Sequence, residues 1–216
     1  MQSAEIMPFI RAAARELGFA RVGVAPAGPV SHEESFRRWL AEGRHAGMSY
    51  MARNVEKRLC PATLVDGARS VLCLVVSYAP SDEGGSSMEA LARDGRAFVA
   101  RYARGRDYHR VLKSRCHALM DRIRAVEPTF RGRAFVDSAP VAERSLAARA
   151  GLGWIGRNGC LIVPELGSYV LLCEIISNLE LPAGEPLPAI CEGCDSCVRA
   201  CPTGALLGNG RLDARR

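Results

Sequence analysis

The feature that most restricts what this 216-residue chain can form is a run of four cysteines near the end of the sequence. The run consists of Cys191, Cys194, Cys197 and Cys201, followed by Pro202. This C-x2-C-x2-C-x3-C-P spacing is typical of bacterial ferredoxins, in which thiolates hold a [4Fe–4S] cluster. Zinc is the alternative, but it usually takes two separated pairs of ligands. We therefore predict an iron–sulfur site at these four cysteines.

Cys201 is ambiguous as a ligand. In ferredoxins with two clusters, the fourth cysteine of such a run ligates the other cluster. No cysteine follows Cys201 in the sequence, so the remaining ligands of a second cluster are absent from this chain. Either one cluster uses all four cysteines, or these 216 residues are a piece of a longer protein. We expect the second.

Five further cysteines are scattered along the chain: Cys60, Cys73, Cys116, Cys160 and Cys173. Disulfides are not expected in a reducing compartment. Free cysteine commonly behaves as a small buried apolar residue. We predict that role for these five, rather than a role as nucleophiles.

Composition indicates a globular protein of the cytoplasm. Hydrophobic residues make up 48% and charged residues 24% of the chain, which suffices for a core. No apolar run approaches the roughly 18 residues that span a bilayer. Charged residues interrupt the N-terminal segment, so a secretory signal is not expected. We therefore predict a cytoplasmic protein without a membrane segment.

Hydrophobic periodicity predicts alternating helices and strands. Helices are expected over 3–18, 31–42, 107–126 and 141–150, and strands over 20–25, 70–79, 133–136, 161–163 and 168–177. Loops are expected over 80–87 and, because of three prolines, over 181–188. The pattern predicts an α/β (α+β) fold, a mixed sheet flanked by helices, over 1–180. The cysteine run would belong to an appended ferredoxin-like module over 181–216.

Asp137 lies at a predicted boundary between a strand and a helix of this first domain. It follows the apolar segment Ala134-Phe135-Val136 and precedes Ser138-Ala139-Pro140, so it is predicted at a strand end, where site residues gather. A carboxyl group in a partly desolvated pocket can donate a proton near neutral pH. The residues alone favour the other role, in which Asp137 caps the following helix.

The net charge of +6 raises the question of a polyanionic partner. Arginines are densest between positions 93 and 115, where Tyr102 and Tyr108 lie among Arg93, Arg96, Arg101, Arg104, Arg106, Arg110 and Arg115. Guanidinium groups pair with phosphates and tyrosine rings stack on bases, a combination that suits RNA. A solvated basic surface is the alternative, and this pattern alone does not decide between them.

Several segments together resemble epoxyqueuosine reductases, and they cover essentially the whole chain. They are MSYMARN (48–54), GARSV (67–71), RYARGRDYH (101–109), VDSAPVAER (136–144), GLGWIGRN (151–158), PELGSY (164–169) and the cysteine run. The GRDYH and DSAP parts are the specific ones. The cysteine run alone would fit many ferredoxin-like proteins.

The resemblance implies an enzyme that reduces epoxyqueuosine to queuosine in tRNA, the final step of queuosine synthesis. It implies cobalamin for the organic step and [4Fe–4S] clusters, two in the full-length family, that relay electrons. The expected partners are a tRNA carrying epoxyqueuosine in its anticodon loop and an external electron donor, and the protein is expected to be a monomer. The family's second cysteine set and its C-terminal helical-repeat region are missing from this sequence.

The resemblance also assigns site residues. It makes Asp137 the general acid, and it places the corrinoid against Asp137 together with Arg58, Ala100, Arg101, Leu161 and Leu172. From the residues alone, the Arg58 side chain fits a solvated surface and the two leucines fit the core equally well. The family is thought to bind the corrinoid without a protein histidine on cobalt, so His109 is expected to be a structural or substrate contact. Gly153, Gly156 and Gly159 are expected to allow close approach to something flat or bulky.

Three rival functions remain at this stage. A reductive dehalogenase would share corrinoid and iron–sulfur chemistry, but such enzymes typically carry a twin-arginine export signal, which is not found here. A plain electron carrier would not need the Asp137 and Tyr108-His109 segments. A zinc-stabilised RNA-binding protein would use the same cysteines, and iron content distinguishes it.

Overall fold

The computed structural model describes residues 3–79, 93, 95, 97, 99–191 and 193–216. The predicted loop at 80–87 and the side chain of Arg96 lie outside these residues. The helices described are α1 (Ser3–Glu16), α2 (Glu33–Ala41), α3 (Val55–Leu59), α4 (Tyr108–Val126), α5 (Glu143–Arg149) and α6 (Ser196–Arg199). The strands are β1 (Arg21–Pro26), β2 (Ser70–Ser77), β3 (Gly132–Phe135), β4 (Trp154–Ile155), β5 (Leu161–Ile162) and β6 (Val170–Ser177).

A four-stranded sheet in the order β1-β2-β6-β3 forms the centre of the protein. Strands β2 and β6 are the long central pair, eight residues each. All three pairings between neighbours are antiparallel. The α+β class with helices flanking a sheet is therefore confirmed, whereas the expectation of a mixed sheet is wrong. The remaining two strands, β4 and β5, form a separate small hairpin.

Two apolar cores lie on the two faces of this sheet. Successive side chains of a strand point to opposite faces, so Cys173 and Ile175 of β6 pack with α1 and α4 on one face. On the other face, Ile176 packs with α5 and with the β4–β5 hairpin. Both long central strands are buried on both faces along most of their length. This double burial explains why their sequences are continuously apolar.

Most predicted elements are confirmed with shifts of one to three residues at their ends. The sequence analysis missed α3, β4 and α6. These elements have five, two and four residues, which is too short for a periodic pattern to develop. The proline-rich segment 181–188 contains no helix or strand, as predicted.

The C-terminal segment folds back onto the α+β part. The Trp39 indole N–H donates to the carbonyl of Leu212 at 2.6 Å. Arg215 donates to the carbonyl of Glu42 at 3.1 Å, and Arg157 donates to that of Gly208 at 2.8 Å. These bonds come from α2 and the β4–β5 hairpin, so both hold the cysteine segment in place. Within the described ranges, no helix has the length and apolar character needed to cross a bilayer.

A substitution of Gly23 in β1 tests how closely α5 packs against the sheet. A Cβ atom at this position would lie 2.5 Å from the carbonyl oxygen of Ala150 at the end of α5. We predict that Gly23→Ala lowers the free energy of unfolding by about 2 kcal/mol, because the helix must move away. Gly28→Ala is the control, since a Cβ there meets no atom within 4 Å. Urea denaturation of both variants measures the difference, and equal values would contradict this packing.

Candidate active site

Asp137 lies directly beyond the end of β3, as predicted. Its backbone φ is 53°, in the left-handed region that residues with a Cβ rarely adopt. Its N–H donates to Oε1 of Glu143 at 2.6 Å. Helix α5 begins after Ala142, which is its N-cap, so Asp137 does not cap that helix. The turn therefore directs the Asp137 side chain away from α5.

The Asp137 carboxylate contacts the start of α4. The Tyr108 hydroxyl donates to Asp137 Oδ2 at 2.6 Å, and His109 Nε2 lies 3.4 Å from the same oxygen. The Asp137 side chain is 60% exposed. This exposure differs from the partly desolvated pocket expected from the sequence. A carboxyl group held by two neighbours and open to solvent remains accessible to a substrate.

The α4 N-terminus fixes both of these neighbours. Asp107 is the N-cap and accepts the His109 backbone N–H at 3.0 Å, and its carboxylate also lies 2.8 Å from His109 Nδ1. The bond to Asp107 raises the pKa of His109, with a smaller contribution from Asp137. Burial and then the bond to Asp137 raise the pKa of Tyr108. Tyr108 thus stays protonated as a donor to Asp137 at neutral pH.

Two carboxyl groups, that of the buried Glu174 and that of the half-buried Glu143, lie behind the Asp137 turn, and the sequence analysis did not recognise them as site residues. Glu174 is fully buried in β6, paired with Cys73 on one side and with Phe135 on the other. Glu143 of α5 lies close to it, and burial raises the pKa of Glu143 to about 7. Burial and then the charge of Glu143 raise the pKa of Glu174 well above its usual range. The signal in the sequence that could have identified Glu174 is a glutamate in the middle of an otherwise apolar strand.

The residues assigned to the corrinoid lie in two places. Arg58 donates to the carbonyl of Val141 at 3.4 Å, and its buried Nε has no hydrogen-bond partner among the described residues. Leu161 is buried and Leu172 is half-buried, and both pack with Val141 in one apolar cluster. In contrast, Ala100 is exposed and Arg101 is half-buried in a short 3-10 helix before α4.

A cavity of about 840 Å³ lies between α3, the first half of α4 and β3. It includes the residues on both sides of Asp137, Val136 and Ser138. No aspartate or glutamate contributes to its described lining. Its ionisable side chains are all basic, namely Lys57, His109, Arg110, Lys113, His117 and Arg133. The cavity is therefore suited to an anionic group next to Asp137.

The cysteine segment has the donor set that an iron–sulfur cluster requires. All four thiols are free. The N–H of Leu206 and groups of Thr203 lower the pKa of Cys201 to about 7, and the N–H of Ser196 lowers the pKa of Cys194. Thiolates are the ligand form of cysteine. A second cavity, of about 300 Å³, borders Cys191. Over the described ranges, no three ligand-type side chains are grouped closely enough for a single metal ion.

The other five cysteines divide into two groups. Cys73, Cys116 and Cys173 are buried, which confirms the predicted apolar role. Cys60 is half-buried and Cys160 is exposed, so for Cys160 the prediction of burial is wrong. Cys160 lies in the turn between β4 and β5, outside the paired residues of the hairpin.

The glycines around the β4–β5 hairpin approach the protein itself. A Cβ at Gly153 would clash with the backbone of Ile162 in β5. At Gly159, whose φ is 79°, a Cβ would lie 2.9 Å from the carbonyl oxygen of Gly210. The close approach expected at these positions is thus made by the hairpin and the C-terminal segment.

The comparison with known proteins identifies the chain in two steps. A family model for a 4Fe-4S binding domain matches residues 187–207, so the chain is an iron–sulfur protein of the redox class. A second model, described as "Epoxyqueuosine reductase QueG, DUF1730", matches residues 58–138. The epoxyqueuosine reductase of Pseudomonas aeruginosa is 43% identical over 203 residues, which are 94% of this chain and 56% of that protein. Nearly the whole chain is therefore similar to epoxyqueuosine reductase, and it spans a little over half the length of this relative.

Solved structures agree with this assignment. An epoxyqueuosine reductase in complex with an epoxyqueuosine-modified tRNA-Tyr stem loop matches with a TM-score of 0.89 at 28% identity, over 100% of this chain and 56% of that chain. The Bacillus subtilis enzyme, with its catalytic aspartate loop swung out of the active site, matches with a TM-score of 0.88 at 27% identity and the same coverage. A reductive dehalogenase matches with a TM-score of 0.53 at 20% identity, over 98% of this chain and 24% of that chain, which shows a shared fold alone.

The buried carboxyl pair makes stability depend on pH. A raised pKa in the folded state means that folding takes up protons, so this stability is present below the ordinary glutamate pKa and is lost as pH rises through about 7. We predict that the free energy of unfolding falls by about 1–3 kcal/mol between roughly pH 5 and pH 8. The free energy of unfolding of Glu174→Gln should fall less over this range. Above pH 7, this variant should be more stable than the unaltered protein.

Urea denaturation at several pH values measures this effect. Glu180→Gln is the control, because the Glu180 side chain is 73% exposed and pairs with Arg69 at the surface. The control should keep the pH dependence of the unaltered protein. If Glu174→Gln also keeps it, the buried pair is not its source.

Proposed function

We propose that the protein reduces epoxyqueuosine in tRNA to queuosine. The reaction opens the epoxide and releases its oxygen as water, leaving an alkene, and it consumes two electrons and two protons. The observation that supports this function is the exposed Asp137 carboxylate, held by Tyr108 and His109 at the strand end of a chain that is similar to epoxyqueuosine reductases. Because the chain spans a little over half of its relatives' length, the activity is a proposal for the whole protein.

Asp137 is the general acid of this proposal. The Tyr108 hydroxyl donates to Asp137 Oδ2, which leaves Oδ1 to carry the proton that the epoxide oxygen receives. Tyr108 keeps its own proton, because burial and Asp137 raise its pKa. His109 is held by Asp107 and fixes the carboxylate from the other side. The role of His109 is therefore orientation, or contact with the substrate, rather than cobalt ligation.

Cobalamin is the proposed partner of residues 1–180, and when bound it supplies the reducing centre for the organic step. The buried and unpartnered Nε of Arg58 fits a polar edge of a macrocycle, and Leu161 and Leu172 offer an apolar wall. Ala100 and Arg101 precede the helix that carries Tyr108, and they would hold the corrinoid together with Asp137. The site thus combines the guanidinium donors of Arg58 and Arg101 with apolar contacts.

Residues 181–216 are proposed as the start of a ferredoxin-like domain. Its thiolates Cys191, Cys194, Cys197 and Cys201 would hold a [4Fe–4S] cluster, which would pass electrons from an external donor towards the corrinoid. Arg157 donates to the carbonyl of Cys194 at 3.0 Å and so links this segment to the β4–β5 hairpin. We propose that the protein acts as a monomer and, since its substrate is tRNA, in the cytoplasm.

The basic cavity beside Asp137 is the proposed contact for the RNA backbone. Lys57 comes from α3 and Lys113 from α4, so the cavity presents cations from two sides. Cations that neutralise phosphates release condensed counterions, which favours binding at low salt. A relative of this chain has been solved with an epoxyqueuosine-modified tRNA stem loop. The cavity would place phosphates that flank the modified nucleoside.

Asp137→Asn tests the proposed function. In a strain that lacks the gene, we predict that epoxyqueuosine accumulates in tRNA and that the unaltered gene restores queuosine. Asp137→Asn should restore it at least about a hundredfold more slowly, because the amide is not an acid. Nucleosides from digested tRNA, identified by mass, provide the measurement.

Asp121→Asn is the matched control and should restore queuosine fully, because Asp121 pairs with Arg124 at the surface of α4. Iron and cobalt contents of the purified variants show whether both retain their cofactors. Normal queuosine in the deletion strain, with no second reductase gene, would refute the function. Full activity of Asp137→Asn would refute the role of Asp137.

Removal of Lys57 and Lys113 tests the basic cavity. We predict that the double alanine variant binds the tRNA stem loop more weakly, with a slope of log affinity against log salt that is smaller by about 1–2, because two phosphate contacts are lost. The control is Arg38→Ala with Arg124→Ala, which removes two surface cations that pair with Glu34 and Asp121. Equal slopes for both double variants would show that only net charge matters.

A further inference from the structure

The backbone of Asp137 is held from outside its own turn. The turn contains two short internal bonds, from the Ser138 N–H to the Val136 carbonyl and from the Val141 N–H to the Ala139 carbonyl. These bonds shape the turn, but they do not attach it to the rest of the protein. The bond from the Asp137 N–H to Glu143 Oε1 does so, because Glu143 belongs to α5.

We propose that Glu143 is a positioning residue, which holds the 137–140 turn in the conformation that presents the Asp137 carboxylate to the substrate. This inference rests on the proposed function and assigns a residue to it that neither the motif nor the family comparison singles out. A left-handed backbone at a residue with a Cβ persists only where its surroundings impose it. Together with the internal bonds of the turn, the 2.6 Å bond to Glu143 holds this conformation.

The structure of a related enzyme shows that a loop carrying a catalytic aspartate can adopt a second position. The B. subtilis enzyme has been solved with its catalytic aspartate loop swung out of the active site. In the present structure, Asp137 is instead bonded to Tyr108 through its side chain and to Glu143 through its backbone. Loss of the backbone bond would leave Tyr108 and His109 as the remaining anchors, and both act only on the flexible carboxylate.

The strength of this bond depends on the charge of Glu143. A carboxylate accepts a hydrogen bond more strongly than a neutral carboxyl group does. Burial raises the pKa of Glu143 to about 7, so both forms are present near neutral pH. The bond should therefore strengthen as pH rises through about 7 and weaken below it. The ionisable groups that interact electrostatically with Glu143 come from α3, α4, α5, β2, β6 and the Asp137 turn: Glu174, Cys73, Cys173, Arg144, Arg58, Tyr108 and Asp137.

These neighbours act in opposite directions. Asp137 disfavours the charged form of Glu143, whereas Arg144 and the N–H of Asp137 favour it. Arg58, which belongs to α3, also interacts electrostatically with Glu143. Glu174 lies behind Glu143 in the sheet, and its pKa is raised well above the usual range, so it stays neutral while Glu143 ionises. Glu143 is thus the group of this cluster whose charge changes near neutral pH.

Hydrogen exchange of the full chain tests the proposal without requiring activity. Glu143→Ala should speed amide exchange at 137–140 by at least about tenfold, because the Asp137 N–H loses its acceptor. Glu143→Gln keeps an acceptor oxygen and should restore most of the protection, while it removes the pH dependence around 7. Glu33→Ala is the matched control, because Glu33 also begins a short helix but pairs with Arg37 at the surface.

The steady-state kinetics of epoxyqueuosine reduction provide the second measurement. In Glu143→Ala, kcat should fall by about tenfold to a hundredfold with KM for the tRNA little changed, because a displaced acid impairs the reaction and not binding. Glu143→Gln should recover most of kcat. Unchanged exchange at 137–140 in Glu143→Ala would overturn the proposal, and so would unchanged kcat in an active enzyme. If the unaltered protein reduces no epoxyqueuosine, the proposed function fails, while the exchange result still decides whether Glu143 holds the turn.

Discussion

The pairing of β2 with β6 is the constraint on which the rest of the structure depends. Eight residues of each strand pair in one register, from Ser70 with Ser177 to Ser77 with Val170. Because side chains alternate along a strand, this register sends Cys173 and Ile175 into one core, and Glu174 and Ile176 into the other. A slip by one residue would exchange the two sets. The position of Glu174 behind the Asp137 turn follows directly from this pairing.

The buried carboxyl groups are costly, and the structure retains them next to its candidate acid. Burying a carboxylate is strongly unfavourable, so such groups take up protons instead. Burial raises the pKa of Glu174 in the sheet well above its usual range, and it raises the pKa of Glu143 to about 7. The same Glu143 accepts the backbone N–H of Asp137. A group that reduces stability at neutral pH thus lies in direct contact with the residue to which the chemistry is assigned, a common arrangement at functional sites.

The cysteine segment depends on the α+β part for its position. It contains one short helix, α6, and its bonds to the remainder come from Trp39, Arg157 and Arg215. Small cysteine-rich units rarely bury enough apolar surface to fold alone, and bound metal commonly supplies the missing stability.

The sequence by itself determined the iron–sulfur site, the α+β class and the resemblance to epoxyqueuosine reductases, because ligand spacing, hydrophobic periodicity and short motifs are local properties. It also placed Asp137 at a strand end. Only the tertiary structure decided that the sheet is antiparallel, since strand direction depends on how distant segments pair. It also brought Glu174 and Glu143, 31 positions apart in the sequence, together behind the Asp137 turn. No local pattern reports that contact, because it arises from a helix packed over the middle of a sheet.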